Sequence, residues 1–300
     1  MIVAVGSIAY DTVETWIDKK SNLLGGSASY FSVAASNFSD VDIVAVVGKD
    51  FKEEDFTLFK NKNIGIENIA REEGKTFHWE GVYPQNGDAK TLKTDLNVFE
   101  NFNPQINDKL KKKPILFLGN IDPALQYNVV EQMDNPEWVI CDTMNYWIDK
   151  KKDDLLKTIS KVDILIINET EIKMLSEDKN LLRAVKKIKK MGPKIVLVKH
   201  GARGAALFYQ DKHFVIPATP VDKVIDPTGA GDTFAGGFIG YFAKAIENNE
   251  VSFQILKRAT VYGNIMASFT IEGFGLDNLR KIDKDTLETR FKSFKDLLSF

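Results

Sequence analysis

The stretch Ile164-Leu165-Ile166-Ile167-Asn168-Glu169-Thr170-Glu171 sets four consecutive aliphatic residues directly before a helix-start signature. An unbroken apolar run of this length fits a strand buried on both faces of a parallel sheet. Asn168 followed three residues later by Glu171 has the form of a capping box, so the chain turns there from strand into helix. The pattern repeats to either side. Further apolar runs stand at 2–5, 43–47, 115–118, 138–140 and 195–198, and helical patterns lie at 27–39, 53–62, 123–133, 151–160 and 181–191. Gly192-Pro193 closes the last of these, and three more helical patterns, at 233–247, 253–269 and 285–298, end the chain. Strand and helix in alternation predict an α/β fold: a doubly wound, mostly parallel sheet flanked by helices.

Residues 74–99 interrupt the rhythm. Phe77, Trp79 and Tyr83 fall on one face of a first run, and Leu92, Leu96 and Val98 on one face of a second, with Asn86-Gly87 between them. Asn-Gly between alternating runs is a hairpin signal. We read one domain spanning 1–300, with a small antiparallel β lid formed by about 9–20 and 74–99. A hairpin leaves edges that need cover, so the lid is also a candidate contact for a homodimer.

Composition removes other classes. The 300 residues carry 40 Lys+Arg against 42 Asp+Glu, a formal net charge of −2. Neither nucleic acid nor an anionic membrane surface is implied, and only six of the cations are Arg. Cys141 is the lone cysteine, which excludes an internal disulfide, and His78, His200 and His213 lack zinc-ligand spacing. The start has no basic n-region, and no apolar run approaches a membrane span. The expectation is a soluble cytoplasmic protein with a small-molecule partner.

Chemistry concentrates in Val224-Ile225-Asp226-Pro227-Thr228-Gly229-Ala230-Gly231-Asp232-Thr233-Phe234-Ala235-Gly236-Gly237-Phe238. A glycine-rich turn runs into an amphipathic helix, where small residues and a helix N-terminus together favour an anion. Asp232 sits at the mouth of that turn, placed to take a proton from a hydroxyl. The helix dipole there is expected to keep it ionised. Taken locally, the glycines equally suit a tight turn and Asp232 an N-cap. Neither G-x-x-x-x-G-K-[ST] nor G-x-G-x-x-G occurs in the chain, so a Walker A loop and a dinucleotide fingerprint have no support.

The run 226–234 resembles the second signature of the ribokinase-like (PfkB) family of carbohydrate and nucleoside kinases. Gly25-Gly26-Ser27-Ala28 resembles the first signature, Asn168-Glu169-Thr170-Glu171 the family's N-x-x-E motif, and Lys199-His200-Gly201-Ala202-Arg203-Gly204 its strand-end G-x-x-G turn. The resemblance implies transfer of the γ-phosphoryl of ATP to a substrate hydroxyl with Mg²⁺ present. It implies that Asp232 is the base and that Gly229, Ala230 and Gly231 supply N–H groups to the transferred phosphoryl. Asn168 and Glu171 are expected to organise phosphate and Mg²⁺, the metal through water. Lys199, Gly201, Gly204 and Asn264 are expected along ATP, with adenine near Tyr262-Gly263-Asn264 and Glu272-Gly273-Phe274-Gly275. Asp226 and Thr228 are the candidates for a monovalent cation such as K⁺.

For the acceptor, the resemblance points to Asp11, Gly25 and Gly26. Ribokinases carry an Asn where this chain has Tyr30, which puts ribose itself in doubt. Tyr30 and Trp79 instead offer aromatic faces to a ring. The leading reading is an ATP- and Mg-dependent kinase acting on the hydroxymethyl group of a small sugar. A nucleoside kinase of the same family is the alternative, and a non-catalytic sugar- or nucleotide-binding regulator a third.

Overall fold

A computed structural model describes residues 1–84 and 89–299; the expected turn Asn86-Gly87 lies outside them. In chain order the strands are β1 (Ile2–Val5), β2 (Ala9–Glu14), β3 (Lys19–Gly25), β4 (Val41–Gly48), β5 (Ile64–Glu72), β6 (Phe77–Val82), β7 (Lys90–Asp95), β8 (Ile115–Leu118), β9 (Trp138–Asp142), β10 (Ile164–Asn168), β11 (Ile195–Lys199), β12 (Ala205–Tyr209) and β13 (Lys212–Ile216). The helices are α1 (Ser27–Ala35), α2 (Glu53–Asn61), α3 (Asp108–Lys111), α4 (Pro123–Gln132), α5 (Asn145–Lys150), α6 (Lys152–Ile159), α7 (Glu169–Ser176), α8 (Leu181–Lys189), α9 (Ala230–Ile246), α10 (Phe253–Ile271) and α11 (Lys284–Leu297).

The large sheet runs β13-β12-β11-β10-β9-β8-β1-β4-β5. It is parallel from β11 to β5, and β12 and β13 add an antiparallel edge. Its strands alternate between two apolar layers. Ile2, Phe117 and Ile166 face the layer holding Phe31 of α1, Phe238 of α9 and Ile265 of α10. Val3, Leu116 and Leu165 face the layer holding Val129 of α4, Leu155 of α6 and Ile188 of α8. Both faces are thus covered, which is why the strands read as continuous apolar runs. From β1 the chain winds first outward through β4 and β5, then returns to β8 on the other side. Strand order reverses between β1 and β8, and the crevice at the carboxyl ends beside such a reversal is where open α/β sheets bind ligands.

The small sheet has the order β3-β2-β6-β7. Its β2–β3 and β6–β7 pairs are antiparallel, and a parallel β2–β6 seam joins them, with Asp11 opposite Trp79. It continues along β3 to Gly25, beyond the expected limit near residue 20. The periodic reading passed over β5, β12 and β13. In β5, Glu67 and Asn68 break the apolar run, and the pairing with β4 carries a register shift. β13 is mostly exposed, with only Ile216 buried.

The closest aromatic contact in the core is Phe31 on Phe117, stacked with ring centroids 3.8 Å apart and both rings fully buried. It seats α1 on β8 directly beneath the crevice. Phe31→Ala is expected to cost about 3–5 kcal/mol of stability, read as a lower urea midpoint at unchanged m-value.

Candidate active site

Three neighbouring strands end in polar side chains at the same edge: β9 in Asp142, β10 in Asn168 and β11 in Lys199. Asn168 Oδ1 accepts the Glu171 N–H at 2.8 Å, and Glu171 Oε2 accepts the Asn168 N–H at 2.9 Å. The capping box is therefore real, and it fixes a buried carboxylate at the start of α7. Burial pushes Glu171 up to about 7; the Asp142 charge adds to this and Lys199 opposes it. The Lys199 ammonium lies 3.2 Å from each oxygen of Asp142. Asp142 was not singled out from the sequence. The available signal was an acidic residue directly after the apolar run 138–141.

The glycine-rich turn enters α9 beside these groups. Gly229 is the N-cap, with φ 72°, a left-handed conformation natural to glycine. A Cβ there would stand 2.4 Å from the Tyr30 ring. The first N–H groups of a helix have no intrahelical acceptor. The Ala230 N–H turns back to the Pro227 carbonyl at 3.2 Å, so of the three expected donors Gly229 and Gly231 are the better placed to meet a ligand. Asp232 is the third residue of α9, not its N-cap. Its carboxyl departs from the expectation that the helix dipole would keep it fully ionised. Burial, then the Asp142 charge, pushes it up to about 7 against the pull of Lys199.

On the acceptor side, Asp11 is 4% exposed and lies against Gly25, where a Cβ would stand 1.9 Å from Oδ2. Burial, followed by the charges of Asp226 and Asp232, raises Asp11 to about 8. Gly26 is the N-cap of α1 at φ 88°, packed on the Ser7 carbonyl. Trp79 shares the face of Asp11 through the parallel seam, and its Nε1–H donates to Thr91 Oγ1 at 3.2 Å. Tyr30 departs from its expected role as an open stacking surface. It is 1% exposed, its ring lies across Gly229, and its hydroxyl has no partner among the described residues. Tyr83, also unforeseen as a site residue, accepts the Thr228 hydroxyl at 3.2 Å and so ties the small sheet to the glycine-rich turn.

Other expected residues serve as braces. Asp226 is fully buried, with Oδ1 accepting the Thr228 N–H at 2.9 Å and Oδ2 the Gly275 N–H at 3.3 Å. Gly204, at φ 96°, leaves no room for a side chain beside the Ile216 carbonyl, whereas Gly201, at φ 58°, faces open space. Asn264 is buried and donates to the Pro217 carbonyl at 3.1 Å and to Thr219 Oγ1 at 3.0 Å, so it fastens α10 to residues 217–219. Tyr262 stacks between Tyr241 and Phe291 and bonds Glu288. These contacts occupy the Asn264 amide N–H groups and the Tyr262 hydroxyl within the fold.

Together the groups can hold an anion at the start of α9, place a carboxylate with near-neutral proton affinity beside it, and receive hydroxyl groups at Asp11. Gly229→Ala is expected to lose about 1–3 kcal/mol of stability through its left-handed backbone. The collision with Tyr30 adds to that loss, and chemical denaturation measures both.

Residues 2–282 match the pfkB family of carbohydrate kinases. A nucleoside kinase of Methanocaldococcus jannaschii is 27% identical over 307 residues, covering 94% of each chain. Two solved structures share the fold. The ribokinase of Arabidopsis thaliana, complexed with ribose and ATP, has a TM-score of 0.77 at 21% identity, covering 97% of this chain and 98% of its own. A ribokinase II-type protein of E. coli, complexed with ATP and Mg²⁺, has a TM-score of 0.77 at 18% identity, covering 97% and 99%.

Proposed function

Because the chain belongs to the pfkB family of carbohydrate kinases, we propose that it transfers the γ-phosphoryl group of ATP to a hydroxymethyl group of a small sugar, free or as part of a nucleoside. The observation that carries this reading is Asp232 in the first turn of α9, next to the free N–H groups that begin the helix and six residues past the buried brace Asp226. Asp232 accepts the proton of the attacking hydroxyl, and the N–H groups of Gly229 and Gly231 stabilise charge on the transferred group. Asp11 accepts hydrogen bonds from acceptor hydroxyls and orients the reacting one. Lys199 and Gly201 border the ATP phosphates.

The donor set fits a divalent cation that arrives with nucleotide. Glu171 is a buried carboxylate with one oxygen free of the capping box, and among the described residues no group of three or more His, Cys, Asp or Glu forms a ready metal cage. Mg²⁺ that keeps part of its water shell suits such a site, where it neutralises phosphate charge. A monovalent cation beside Asp226 and Thr228 is the finer part of the proposal. It would have to share Asp226 with the two N–H groups already bound there, and comparing rates in potassium and choline salts tests it.

A nucleoside acceptor is favoured by Trp79, a half-buried indole on the same face as Asp11, which suits a flat base. The nucleoside kinase of M. jannaschii supports the same reading. The small sheet is proposed to act as a lid on a single kinase unit, excluding water as it closes. Exposed Trp16 and Ile17 in the β2–β3 turn and Leu92 on β7 support a homodimer through that sheet, which sedimentation equilibrium tests. Among the described residues no helix is long and apolar enough to cross a membrane. We assign the reaction to the cytoplasm, where ATP is available.

Asp232→Asn is expected to lower kcat by about 10²–10⁴-fold while acceptor and ATP still bind, measured by coupled assay and calorimetry. A variant with wild-type turnover rejects the reading. A panel of ribose, fructose, inosine, adenosine and cytidine then separates sugar from nucleoside. Since a base works only when ionised and Asp232 is raised to about 7, kcat/KM should climb with pH up to about 7 and level off above it.

A further inference from the structure

Asp142 has no role in the reaction as drawn above, yet it is among the most firmly built groups of the cleft. It ends β9, is 4% exposed, and its Oδ1 accepts the Thr143 N–H at 3.0 Å. Both of its oxygens face the Lys199 ammonium at 3.2 Å, and the Lys199 side chain is itself only 17% exposed. A buried ion pair is poor evidence of a purely stabilising device, because desolvation offsets most of the attraction.

The far side of the ammonium shows what the pair is for. A Cβ on Gly231 would stand 3.1 Å from Lys199 Nζ, with no other contact nearer than 3.9 Å. Gly231 is helical and is not among the glycines with positive φ, so its backbone has no need of glycine. The missing side chain therefore leaves room for the ammonium against the first turn of α9. Lysine is a compact point charge that binds phosphate without the fork of an arginine.

We propose that Asp142 is a positioning residue that clamps the Lys199 ammonium against the first turn of α9, so that Lys199 meets the negative charge of the transferred phosphoryl group. The proposal rests on the reading of that turn as the transfer site. Within the cleft, Asp232 of α9 is faced by Asp142 of β9 and Lys199 of β11, Glu171 of α7 faces Lys199 and Asp142, and Asp11, Asp226, Tyr30 and Tyr83 stand on the other side of Asp232. Losing the Asp142 charge lowers the proton affinity of Asp232, and losing the Lys199 charge raises it.

The test compares Asp142→Asn, Lys199→Met, their double variant and Gly231→Ala by kcat, acceptor KM and pH profile, with Asp232→Asn beside them. Lys199→Met should lower kcat by about 10²–10³-fold, the size of a lost transition-state charge contact, with little change in acceptor KM. Asp142→Asn should lower kcat less, and the double variant should be no slower than Lys199→Met alone. The acid limb of the profile should move to lower pH in Asp142→Asn and to higher pH in Lys199→Met. Gly231→Ala should fold at least as stably as wild type and still turn over more slowly, which keeps the test open if the charge variants do not fold. Multiplying losses in the double variant, or acid limbs that stay in place, overturn the proposal. If Asp232→Asn is inactive while the Asp142 and Lys199 variants match wild type, the clamp alone is wrong; if Asp232→Asn is active, the transfer site itself is misread.

Discussion

A carboxylate withdrawn from water demands a partner, and this cleft buries Asp11, Asp142, Glu171 and Asp226 and half-buries Asp232, with the ammonium of Lys199 among them. Asp226 meets the demand with two backbone N–H groups, and Asp142 meets it with Lys199. Burial still raises the proton affinity of Asp226, and Asp11, Glu171 and Asp232 hold protons more tightly, with values near 7 or 8. That leaves a cleft primed for ligands that bring hydroxyl donors and a divalent cation. Such ligands answer the same charges that the protein leaves unanswered.

The sheet makes that concentration possible. Parallel strands end together, so β9, β10 and β11 deliver Asp142, Asn168 and Lys199 to one edge although they are far apart in the chain. The start of α9 meets the same edge and supplies partial positive charge without further basic residues. A chain with six arginines and a net charge of −2 can therefore build an anion site from backbone and one lysine.

Much of this was legible from residues 164–171 and 224–238, because buried strands, a capping box and a glycine-rich helix start are all local patterns. At Asn168 and Glu171 the cap is what the fold shows; it engages one Glu171 carboxylate oxygen and leaves the other open. What stayed hidden was tertiary. The partner of Asp142 lies 57 residues away along the chain, and nothing next to it in sequence marks it as charged for a purpose. Tyr30 looked like a surface for stacking because a helix start is usually open. Only the packing of Gly229 on its ring makes it part of the floor. Asn264 shows the converse: a polar residue on a buried helix also braces the fold, its amide N–H groups donating to residues 217–219.

The parallel seam between β2 and β6 has a consequence for how the protein is made. An antiparallel hairpin closes a short loop, but this seam joins strands separated by β3, α1, β4, α2 and β5. Its contacts are reached only after a long stretch of chain has been ordered, and such non-local pairing comes late and slowly in folding. Asp11 and Trp79, which meet across the seam, therefore come together only when the intervening elements are in place. The spacing of Asp11 from Trp79 thus depends on how that whole segment packs, and not on one local turn.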